Sequence, residues 1–255
     1  MHTPDSTPTA GLGGPFGPAG AFADSSPGDS PATRRQQAGG PPLGVLALVS
    51  TLLFLAGLFI SAALAHGFPP SPTAPAATIQ AYFAGHRTAV RVAALFQFGA
   101  AVPLALYAAT ASARLHNLGI RAPGATIALA GGLLSSGFLA ISGLISWVLS
   151  RPEVTASPSL VRAFQDLGYI TGGPGHTVFL GLLAAGLAVT ALFARLLPRP
   201  VVFIGLLFAF IAELSTLSVI TDSLAFLLPA GRYPLLIWLI VAGFQLPATR
   251  LRRSG

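Results

Sequence analysis

The sequence predicts an all-α fold: a polytopic transmembrane helix bundle of six spans, with short interfacial helices on its outer side and a disordered N-terminal tail. Three observations predict it. Hydrophobic residues make up 53% of the chain and charged ones only 8%, against roughly a quarter in ordinary soluble domains, too little charge to clothe a water-soluble globule. The apolar residues gather into long uncharged runs that match the thickness of a bilayer. The 14 basic residues, all arginine, fall in ones, twos and threes at the margins of these runs.

Residues 1–42 are mostly Pro, Gly, Ala, Ser, Thr and Asp, with almost no large aliphatics. Such a segment buries too little apolar area to offset its ordering entropy, so it reads as a disordered tail rather than a proline-rich docking peptide. The transmembrane domain is expected over 43–248, followed by a basic tail over 249–255. Leu43–Ala65 is uncharged for 23 residues, about 34 Å as a helix, which crosses a hydrocarbon core of about 30 Å. Its Ala63-Leu64-Ala65 ending resembles a signal-peptidase site, but the run is much longer than a leader's apolar region and is read as a retained first span.

A proline-studded loop from His66 to Thr78 precedes Ile79, Tyr82 and Phe83, whose helical spacing predicts a short interfacial helix. The second span is expected over about Val90–Ala113, with Pro103 kinking it unless neighbours accommodate the lost hydrogen bond. Gly124–Leu149 is the third span. Its Gly132, Ser136 and Ala140 form a row of small residues that favours close helix packing, so it belongs at the bundle centre, with Trp147 at headgroup level.

Ser157-Pro158 is a helix start, and Leu160, Val161, Phe164 and Leu167 predict an amphipathic helix lying on the membrane. The Gly172–His176 stretch is expected to break the chain before a fourth span from about Pro174 to Ala194. A fifth span over about Val201–Thr221 and a short sixth over about Tyr233–Ala248 complete the set, with Ser223–Pro229 either extending the fifth helix or re-entering the membrane.

With the N-terminus inside, nine arginines (34, 35, 114, 121, 195, 199, 250, 252 and 253) flank the inner ends and five (87, 91, 151, 162 and 232) the outer ends. The positive-inside rule therefore predicts both termini in the cytoplasm.

Absent cysteine and lysine exclude disulfides, thiol catalysis, thiolate metal sites, a Walker lysine and Schiff-base chemistry. The scattered arginines do not form a nucleic-acid surface. Gly172, Gly173 and Gly175 precede a span instead of following a strand, so they do not read as a phosphate cradle. No His pair has the i, i+4 spacing of a metal site, and neither metal nor cofactor is implied.

Inside apolar spans an ionisable residue costs roughly 3 kcal/mol unless paired or solvated, which singles out Glu213. At similar outer depth stand Thr216 and Asp222 beyond it, Arg91 and Gln97 on the second span, Ser142 on the third and His176 at the start of the fourth. Together they predict an outer-leaflet polar pocket with Glu213 as charge centre and Arg91 or His176 as partner, binding a small amphipathic ligand, a lipid or a membrane partner. A structural ion pair or a protonated glutamate is the plainer reading. Proton-linked transport through Glu213 is the alternative from another class. A Ser142–His176 dyad, compared with the six-helix rhomboid proteases, lacks the glycine two residues before the serine, where Ala140 stands, and an enzyme is not the favoured reading.

Ile79-x-x-Tyr82-Phe83 leading to His86-Arg87, then Asp166-Leu167-Gly168-Tyr169 and Leu197-Pro198-Arg199, resemble in their order the multi-span bacterial membrane proteins grouped as domains of unknown function. The resemblance covers roughly Leu43–Ala248. It implies a multi-pass topology in a bacterial plasma membrane and carries no activity.

Overall fold

The computed structural model describes residues 41–120 and 122–247. Residues 1–40 of the expected disordered tail, the C-terminal tail, and Arg121 lie outside the described residues, and with them Arg34, Arg35, Arg250, Arg252 and Arg253.

Helix α1 (Leu43–Leu64) is followed by α2 (Ala76–Gly85), α3 (Arg87–Asn117), α4 (Pro123–Leu149), the single turn α5 (Pro152–Thr155) and α6 (Pro158–Ile170). A π-helical turn (Thr171–Gly175) joins α6 to α7 (His176–Ala194); α8 (Arg199–Leu214) and two 3-10 turns (Ser215–Val219, Asp222–Leu224) lead to α9 (Leu227–Gln245). Six helical segments among the described residues are long and apolar enough to cross a membrane, so the chain is a membrane-embedded helix bundle. α2, α5 and the start of α6 form a cap at one end, around a small core of Ile79, Phe83, Val90, Ile145, Leu149 and Val161.

α4 is central, packing on α3, α6 and α7. Its small residues set the approach: a Cβ on Gly132 would collide with Ala108 of α3. Across the α4–α7 crossing, a Cβ on Gly186 would lie 2.6 Å from the backbone nitrogen of Ala128. In lipid, where apolar burial does not drive helices together, such close backbone contact supplies much of the packing attraction. α3 runs unbroken through Pro103, and in the preceding turn the Ser50 hydroxyl donates to the Ala100 carbonyl at 2.8 Å, a polar contact supplied by the neighbouring span.

Two expectations are corrected. The Gly172–His176 stretch does not break the chain: α6, the π turn and α7 form one segment, Pro158–Ala194, of 37 residues. A π turn is wider than an α turn and absorbs a proline that lacks its N–H and would otherwise crowd the preceding carbonyl. At 1.5 Å per residue the segment is about 55 Å long, against a hydrocarbon core of about 30 Å, and α6 forms part of the cap, packing on α2 and α5. Its inward face is Val161 and Gln165, while Leu160 and Leu167 are exposed.

The sixth span also begins earlier than expected, with α9 starting at Leu227 and not Tyr233. Pro229 falls in the first turn, where a missing N–H costs nothing, and Pro234 lies inside the helix without ending it. Arg232 therefore belongs to a span and not to a flanking loop.

Candidate functional site

The π turn and the early start of α9 create the site together. Arg232 reaches from α9 to the π turn, half-buried. Its Nε and Nη2 donate to Thr177 Oγ1 at 3.1 and 2.9 Å, and Nη2 also donates to the carbonyls of Gly172 and, at 3.2 Å, Gly173. The guanidinium lies 5.6 Å from the Phe54 ring centre of α1, a cation–π distance. These partners are neutral. Among the described residues Glu153 and Asp166 pair with Arg151 and Arg162 at 3.6 and 3.1 Å, and Arg232 has no carboxylate partner. An arginine stays protonated in proteins, so among the described residues this is a standing positive charge with neither a counter-ion nor an acceptor for Nη1.

Arg232 lines a cavity of about 460 Å³ at the cap end, between α1, α3, α4, α6 and α9. One wall is polar: Gln97 Nε2 donates to Ser142 Oγ at 2.9 Å, Ser142 donates to the Gly168 carbonyl at 3.0 Å, and Ser146 donates to the Ser142 carbonyl at 3.0 Å. Glycine is required at 172, since a Cβ there would collide with Ser142 Oγ. The other wall is apolar, with Leu58, Leu228 and Tyr233, and includes the exposed Pro229 of α9.

Of the residues the sequence proposes for a pocket, Gln97 and Ser142 line this cavity. His176 lies behind it, fully buried and stacked on Phe54 at 6.4 Å. His176 Nδ1 is 3.0 Å from the Ser135 carbonyl, and the Ser135 hydroxyl is 2.9 Å from the His176 carbonyl; both bonds are satisfied when Nδ1 carries the proton. His176 is thus engaged with Ser135 and not with Ser142. Arg91 is at the surface, its Nε donating to Ser150 Oγ at 3.2 Å. Glu213 packs on the α7–α8 seam beside Gly181 and forms no ion pair among the described residues, with Arg91, His176 or any other cation. Thr216 and Asp222 are exposed, Asp222 bordering a separate hollow with Asp166 and Arg162.

The charge centre of the cavity is therefore Arg232, which the sequence placed among loop arginines because Pro229 and Pro234 read as helix breakers. The signal that would have found it is the apolar run on both sides, Leu227–Leu228 and Leu235–Val241, which brackets a single arginine. Gly172 and Gly173 of the π turn present their carbonyls to Arg232 as hydrogen-bond acceptors. Another hollow, at the opposite end, is lined by Arg195 and Arg199 beside the exposed Phe193.

Comparison with family models, curated proteins and solved structures gives no match.

Proposed function

We propose that this protein is a non-enzymatic binder of a small amphipathic membrane ligand, whose anionic group is held by Arg232 and whose apolar part lies against α1 and α9. The observation that carries this reading is the unneutralised guanidinium on the wall of an otherwise mostly apolar cavity. A cation in a low-dielectric setting is costly until an anion or water compensates it, and charge-assisted hydrogen bonds to an oxyanion are the strongest compensation available.

The test is native mass spectrometry with a thermal-shift assay in neutral detergent, comparing phosphatidylethanol, which carries one negative charge, with phosphatidylcholine, which carries none. The anionic lipid is expected to be retained selectively and to raise the unfolding temperature; a ligand at about 100 times its Kd stabilises by about 2.7 kcal/mol. Equal retention of the two lipids would sink the reading.

In this proposal the membrane is a bacterial plasma membrane and both termini are cytoplasmic, in line with the arginine bias of the sequence, nine to four once Arg232 is counted within a span, which sets the cavity in the outer leaflet. Because the chain has no cysteine, a single Thr73→Cys variant reports orientation cleanly. An impermeant maleimide applied to intact cells is expected to label it, and protection until lysis would reverse the topology.

A further inference from the structure

A second chamber of about 270 Å³ continues from the first toward the cap, sharing Ser61, Ser142, Ser146 and Gly168 in its walls. It lies under the proline loop, between Pro69, Pro70, Tyr82 and Phe83. Burial raises the Tyr82 hydroxyl above its ordinary titration point, so the tyrosine is neutral at physiological pH. Gln165 forms part of this chamber's wall. It is 92% buried, and its side-chain oxygen has no hydrogen-bond partner among the described residues. A buried unpaired carboxamide is a polar group awaiting a partner.

Gln165, Gly168 and Gly172 stand at i, i+3 and i+7 along one face of a helix, and all three line the joined chambers. Seven residues at 1.5 Å rise put Gln165 about 10 Å above the carbonyl that Arg232 holds. An occupant that satisfies both ends has an anion at the deep end and an uncharged hydrogen-bonding group within that distance toward the cap. A hydroxyl suits the carboxamide because it both donates and accepts. An ammonium does not, since no acidic residue lines this chamber; Asp166 and Asp222 border the neighbouring hollow, which shares only Pro72 and Tyr169 with it.

Resting on the reading of Arg232 as an anion site, we infer that the ligand is a polyol phosphate: a phosphodiester or phosphomonoester oxyanion at Arg232, with a hydroxyl-bearing head in the upper chamber against Gln165. Such a group belongs to a membrane lipid with a glycerol-like head or to the free head itself. The lipid seats with its phosphate deeper than its hydroxyls and its chains leaving past Pro229.

The experiment compares phosphatidylglycerol with phosphatidylethanol, equal in charge and differing in headgroup hydroxyls, on wild-type protein and Gln165→Leu, with glycerol 1-phosphate as a soluble competitor. Wild type is expected to bind phosphatidylglycerol about threefold to tenfold tighter, the range for one or two added neutral hydrogen bonds, and Gln165→Leu to bind the two lipids equally. Equal affinities on wild type overturn the inference even if the variant does not fold, and so does a preference that survives in Gln165→Leu. In those two cases the anion site still stands; if neither lipid exceeds phosphatidylcholine, the anion site and the inference fall together. Displacement by glycerol 1-phosphate with the same Gln165 dependence assigns the free head as occupant, and lack of displacement assigns the lipid.

Discussion

Arg232→Gln is expected to abolish the selective retention of anionic lipid, lowering its affinity by a factor of about 10 to 150, the range for one charge-assisted hydrogen bond of about 1.5–3 kcal/mol. Glutamine keeps a donor for Thr177 or the Gly172 carbonyl, so the tie between α9 and the π turn is weakened without being left entirely unpaired. Arg232→Leu is expected to be worse for folding, because it leaves those carbonyls in an apolar setting with no donor. Arg232→Lys separates charge from shape: an ammonium carries the same charge but lacks the planar fork that spans Thr177 and two carbonyls, so some anion preference is expected to return with lower thermal stability. The measurement is a lipid titration followed by native mass spectrometry, with unfolding temperature in parallel. Full lipid selectivity in Arg232→Gln, with only a fall in stability, would show the arginine to be a strut between helices and nothing more.

The second large effect lies at the α4–α7 crossing. Gly186→Ala is expected to destabilise the bundle by several kcal/mol, above the roughly 1–3 kcal/mol usual for overpacking, because the added methyl meets backbone. Its nearest neighbours would be the Ala128 nitrogen at 2.6 Å and the Gly124 carbonyl at 2.7 Å, and neither is the far end of a flexible side chain. Gly131→Ala, directed at the Leu183 nitrogen at 2.5 Å, is expected to behave alike. Gly137 on the same α4 has nothing within 4 Å of its Cβ position, so Gly137→Ala is the matched control and is expected to be neutral or slightly stabilising. Unfolding in mixed detergent measures all three. Equal stabilities for Gly186→Ala and Gly137→Ala would mean that the crossing is loose and that helix approach here does not depend on glycine.

The candidate site was only partly legible in the sequence. Gln97 and Ser142 were legible because a polar side chain in an apolar helix must find a partner, and here they found each other. Glu213 drew attention by the same reasoning, yet it sits on a different seam, since depth along a helix says nothing about which neighbour the side chain meets. Arg232 was misplaced by a local rule. Proline ends helices in water, but Pro229 sits in a first turn and Pro234 is carried inside a packed span, so the helix extends and the arginine moves inward. The π turn was taken for a break for the same reason: Gly-Gly-Pro-Gly is a poor helix former on its own, and only the packing of Gly172 on Ser142, with Arg232 holding the carbonyls, makes it continuous.

By itself the sequence determined the solvent, the number of spans and the small-residue character of the third span, because these follow from summed hydropathy, run length and residue size, none of which needs to know what faces what. The tertiary structure decided which charge belongs to the cavity and that a π turn accepts it. Those outcomes depend on the rotation of each helix about its axis, and that angle is fixed by contacts between residues far apart in the chain.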